Sequence, residues 1–142
     1  MSPLPIYTAA LTVPAGTPKD NPAVVEVEVE EYTVIRFDVY FPPGCHGRVH
    51  VGIFYGAEQI APKPAEATLT GDFETVSWPE EWRVPERPCV IEFRGWSPNA
   101  SYDHTVLCRV ITRPIEQESW VEEQREIQSL MARFLRRIVG VR

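Results

Sequence analysis

The chain has 142 residues, 44% apolar and 24% charged, with a formal net charge of −6. That length gives room for one domain with a real core, and the composition is globular rather than disordered. Residues 1–114 carry 15 acids and 9 bases and residues 115–142 carry five of each, so a phosphate backbone would be repelled by the first part and nucleic acid is not an expected partner.

Fourteen prolines are about twice the usual ~5% share. Proline is kept out of helix interiors and central strands, so many short strands separated by loops are expected. No segment approaches the ~20 apolar residues of a membrane span. The opening MSPLPIYTAALTVPAG lacks the basic region and the apolar run of a signal peptide. Three cysteines do not suggest a disulfide framework, and synthesis in a reducing cytosol is expected.

Seven strands are predicted. Ile6–Val13 places Tyr7, Ala9, Leu11 and Val13 on one face, then stops at a proline-rich loop, 14–22. Val24–Glu30 alternates Val25, Val27 and Val29 with Glu26, Glu28 and Glu30, a half-buried pattern whose glutamates also discourage edge-to-edge pairing. Tyr32–Phe41 points Ile35, Phe37, Val39 and Phe41 inward, with Arg36 and Asp38 outward. Arg48–Tyr55 buries Val49, Val51, Ile53 and Tyr55, and a long connection, 56–71, follows. Phe73–Trp78, Pro88–Arg94 and His104–Thr112 complete the set, the last two burying Cys89, Ile91, Phe93, Val106, Cys108 and Val110. Short strands with frequent turn signals predict an antiparallel β-sandwich, jelly-roll or immunoglobulin-like, over 1–114.

Near Pro114 the apolar period changes from two to the helical value, so residues 115–142 read as one C-terminal amphipathic helix. Ser119 and Glu122 fit a capping box, Glu122, Glu123 and Glu126 fill the first turns, Arg133, Arg136 and Arg137 the last, and Gly140 suits C′. Trp120, Ile127, Phe134 and Val141 recur every seven residues, interleaved with Gln124, Met131 and Ile138 and widened by Leu130 and Leu135. Such a stripe lies on its own β-domain, pairs with other copies or a partner, or rests on a membrane; the clustering of its arginines at one end argues against the last. As a protein interface it would use Trp120, Ile127, Leu130, Met131, Phe134 and Ile138.

No catalytic motif stands out. Cys45, His46, His50, Cys89, His104 and Cys108 are metal-ligand types, yet only Cys45, His46 and His50 are close in sequence, and Cys89 and Cys108 fall on core-facing positions. Cys45 beside His46 lacks a nucleophile-elbow pattern. Asp72, Glu74, Glu80 and Glu81 could pair for glycoside hydrolysis, but loop acids are usually solvated. A small cupin-like enzyme would need His46, His50 and His104 on one metal. Trp78, Trp82, Trp96 and Tyr102 either close the core at strand ends, anchor a protein contact, or form a ligand platform on which sugars stack. No metal, cofactor or catalytic residue is assigned.

The stretches 13–23 (VPAGTPKDNPA), 41–47 (FPPGCHG) and 95–99 (GWSPN) carry a resemblance in style over residues 4–114. The chain resembles small β-sandwich virion structural proteins of tailed bacteriophages and similar viruses, those that decorate capsids or serve as accessory subunits. That resemblance implies a non-enzymatic assembly role in a virion assembled in the host cytoplasm. It also implies a homo-oligomer that contacts capsid or neighbouring structural subunits. It carries no family residues onto this sequence.

Overall fold

The computed structural model of the chain describes residues 5–139. Its strands are β1 (Ile6–Val13), β2 (Ala23–Val29), β3 (Thr33–Phe41), β4 (His50–Tyr55), β5 (Glu58–Ala61), β6 (Glu74–Arg83), β7 (Cys89–Trp96) and β8 (His104–Thr112); helix α1 (Ile115–Val139) follows. They form two four-stranded sheets, ordered β1-β8-β3-β6 and β2-β7-β4-β5. The antiparallel pairs are nested: β1 with β8, β2 with β7, β3 with β6 and β4 with β5. A strand ribbon doubled back at β4–β5 and wound into two sheets is a jelly roll. The immunoglobulin order, which pairs the first strand with the second in one sheet, is not present.

The inner faces come from period-two alternation. Leu11 and Val13, Val27 and Val29, Val106, Cys108 and Val110 are all buried, while the residues between them are mostly turned outward. Phe37 on β3 and Phe93 on β7 meet edge-on between the sheets, their ring centroids 6.3 Å apart and their planes at 75°. Gly95 admits the opposite sheet closely: a Cβ there would stand 2.7 Å from Val13 Cγ2 and 2.9 Å from Leu11 Cδ2. Gly95→Ala is therefore expected to overpack the core and cost about 1–3 kcal/mol in a denaturant titration. An unchanged midpoint would mean that β1 can move away freely.

The structure corrects the sequence reading in five places. β5 lies inside the stretch read as a connection; its pairing with β4 supplies the strand character that Glu58-Gln59-Ile60-Ala61 lacks alone. β6 runs past Trp78 and through Pro79 to Arg83. It is an edge strand, and Pro79 sits opposite a register shift in β3 between Val34 and Arg36, where a missing N–H is tolerated. The same irregularity moves the phase at the start of β3, so Val34 is buried while Ile35 is only half-buried. Asp38, read as outward, is 5% exposed, because it lies mid-strand between Ser77 and Arg109, with Arg36 Nε 3.0 Å away. Finally, α1 begins at Ile115, with Gln117 N–H donating to the carbonyl of buried Pro114 at 3.0 Å. Ser119 is thus within the helix rather than its cap; its side chain, that of Glu122, and Gly140 and Val141 lie outside the described residues.

Candidate functional site

Each strand reverses the direction of the one before it, so the connections separate by pole. Connections 14–22, 42–49, 62–73 and 97–103 gather at one end, and the short turns 30–32, 56–57 and 84–88 at the other, where α1 begins. The long connections brace one another. Gly16 N–H donates to the Ser97 carbonyl at 3.1 Å and Ser97 N–H to the Thr17 carbonyl at 3.0 Å; Ala15 N–H donates to Asp103 at 2.8 Å. On the other side Gly44 N–H donates to Asp72 Oδ1 at 2.9 Å.

Between 42–49 and 97–103 lies a cleft of about 340 Å³, lined by His46, Arg48, Ser101, Tyr102, Asp103 and His104 among others. Its wall is held in shape by unusual backbone, with φ of 98° at Gly44 and 47° at His46. Asp72 collects this loop. The His46 N–H, the Gly44 N–H and the imidazole of His46, 3.5 Å away, hold its carboxyl below the usual carboxylate range. A carboxyl lowered on folding stabilises the fold above its unfolded pKa and loses that contribution as pH falls through the folded value. Loop 42–49 is therefore expected to loosen on acidification below about pH 4, read as a fall in amide protection at Gly44 and His46 relative to the intrinsic rate at each pH. Asp72→Ala should loosen it already at pH 7; protection that stays constant with pH and is the same in both chains would contradict the assignment.

The candidate metal ligands are dispersed. His46 and His104 line the cleft, but His50 turns away to stack on Trp96, centroids 6.2 Å apart, with Nδ1 3.1 Å from Thr68 Oγ1. Burial, then Lys19, pulls His50 below the usual imidazole range. Cys45, Cys89 and Cys108 are free and buried, and burial pushes Cys89 up to about 11 and Cys108 up to about 12. Among the described residues no three ligand-type side chains come together. The four carboxylates split into two places: Asp72 holds loop 42–49, with Glu74 Oε1 accepting from its N–H at 3.4 Å. Glu80 accepts from Trp78 Nε1 at 2.9 Å, and Glu81 binds Arg113 and Arg125 at the helix pole; both are in β6 rather than a loop.

The aromatic group is likewise divided. Trp96 is 7% exposed, and Trp78 and Trp82, in the other sheet, are half-buried against the core, Trp82 beside the Tyr55 ring. Tyr102 alone of the four is fully exposed, at the cleft. The structure brings no platform of four rings together.

The interface residues stand otherwise. Trp120, Ile127, Leu130, Met131, Phe134 and Ile138 are each between 46% and 63% exposed, and every residue from 125 to 138 is exposed. The helix is fastened by its polar side. Glu118, 5% exposed, accepts from Thr33 Oγ1 at 2.8 Å and pairs with Arg113 at 3.3 Å and Arg83 at 3.5 Å; one heptad on, Arg125 pairs with Glu81. At about 100° per residue, the apolar stripe is centred about 180° around the helix from Glu118 and Arg125. Glu118 and Arg125 thus hold the first three turns to the domain, and from Arg125 to Ile138 every face of the helix is exposed, the apolar stripe included. Glu118 was missed from sequence because it precedes Ser119, read as the N-cap, and so fell outside the helix whose first-turn acids drew the attention.

No protein-family model matches the chain, and no curated protein matches it.

Proposed function

We propose that this is a non-enzymatic structural protein that works by assembly, a capsid decoration or accessory virion protein acting through homotypic and partner contacts. One observation carries the reading: seven large apolar side chains of α1, Trp120, Ile127, Leu130, Met131, Phe134, Leu135 and Ile138, are uncovered on a helix whose first turns are already anchored to the domain through Glu118 and Arg125. Contiguous exposed apolar surface of this kind marks an association site. The jelly roll suits the role, since it buries its core in two sheets and leaves one pole of braced loops for other contacts; it also serves lectins and cupins, so the helix rather than the fold supports the proposal.

Light scattering on the full chain is expected to give an oligomer. Trp120→Ala with Phe134→Ala should give the monomer mass, with the strand signal in circular dichroism retained. An unchanged oligomer mass in that variant would take the helix out of the assembly.

A further inference from the structure

We infer that the α1 stripe is covered by α1 of a second copy, running antiparallel, in a register that sets Glu123 of each chain against Arg137 of the other. This rests on the self-association reading above and adds the partner, its direction and its register.

The stripe has two interleaved seams, Trp120, Ile127 and Phe134 in one and Gln124, Met131 and Ile138 in the other. In an antiparallel pair the two seams face each other. One register aligns all three layers at once: Gln124 opposite Phe134, Met131 opposite Ile127, and Ile138 opposite Trp120, each occurring twice by symmetry. Flanking them, Leu130 meets its own copy at the two-fold axis, and Glu123 meets Arg137 on both sides. A parallel pair stacks Gln124 on Gln124 and sets Glu123 beside Gln128, with no opposite charges across the seam.

Charge along the helix agrees. Glu116, Glu118, Glu122, Glu123 and Glu126 lie in the N-terminal half against the single base Arg125, and Arg133, Arg136 and Arg137 in the other with no acid, so antiparallel helices juxtapose opposite net charge and opposite dipole ends. On the flank of the stripe, Leu130, Arg133, Phe134 and Arg137 line a hollow of about 240 Å³. In this register Glu123 of the second copy comes beside its arginine wall.

The test is disulfide trapping in the full chain, where the native thiols are buried and poorly reactive. Trp120→Cys and Ile138→Cys are made separately and oxidised alone and mixed. In the antiparallel pair each variant's own thiols are about 27 Å apart, 18 residues at ~1.5 Å, while the mixed pair is adjacent. The expected result is cross-linking in the mixture only. Cross-linking of each variant alone would overturn the orientation and leave self-association standing. A dimer that never cross-links would place the contact elsewhere and overturn the inference. A wild-type monomer at about 100 μM, which bounds the Kd above that value, would overturn both readings, and vesicle binding by that monomer would assign the stripe to a lipid surface. As a second measure, Glu123→Arg should weaken the dimer about tenfold, and adding Arg137→Glu should restore it. Failure of the double variant to recover would also count against the register.

Discussion

Phe93→Ala is expected to cost about 3–5 kcal/mol of folding stability, read as the shift of a guanidinium midpoint. Phe93 is fully buried at the centre of its sheet, opposite Val25 on β2 and Ile53 on β4. Its ring meets Phe37, itself central in the facing sheet between Trp78 and Val110. Truncation removes transfer free energy, leaves a cavity that two stiff sheets cannot close, and deletes an edge-to-face contact that adds about 0.5–1.5 kcal/mol. Domains have only about 5–15 kcal/mol in hand, so the variant should sit near the limit of folding at 37 °C. A loss under about 1 kcal/mol, small for a truncated buried aromatic, would show that the sheets approach and refill the space.

Glu118→Ala is expected to cost about 2–3 kcal/mol and to release the first turns of α1. The carboxylate is the acceptor shared by Thr33, Arg113 and Arg83, so its removal leaves Arg113, largely covered, short of a partner. Breaking a buried pair from one side is more costly than never having formed it, though Arg113 keeps Glu81 at 3.2 Å, which holds the loss below the usual 3–5 kcal/mol. Glu118→Gln retains an acceptor for Thr33 and should lose less. Amide exchange across 115–125 separates the outcomes. Faster exchange there with an intact sandwich fits the clip, while uniform acceleration through β3 and β8 would mean that Glu118 supports the whole domain.

The sandwich was legible because β1, β2, β7 and β8 each bury one face, and seven or more residues of alternation write that face into the sequence. What failed was local to irregularity. A four-residue edge strand has too few residues for a period, and a bulge at Ile35 shifts the phase within a single strand. Proline in β6 signalled an end because strand position in the sheet, which makes Pro79 harmless, is a tertiary fact. The stripe on α1 was also plain, but periodicity reports that a face is apolar and not which way it points. That was decided by Glu118 and Arg125, polar residues whose partners come from β3, β6 and the approach to the helix. The scattered histidines, carboxylates and tryptophans carried no periodic signal, and only the folded chain separates those at the cleft from those in the core.

The nested pairing has a kinetic consequence. The β4–β5 hairpin closes across a two-residue turn, whereas β1 and β8 must find each other with Ala9 opposite Cys108. Each outer pair closes a longer loop than the one inside it, so folding is expected to zip outward from the hairpin, with β1–β8 last and slowest. Until that final closure, the N-terminal strand is unmated and β8 has one open side, the state in which intermolecular strand pairing is most accessible. Destabilising the hairpin should therefore slow refolding, while weakening β1 should mainly speed unfolding.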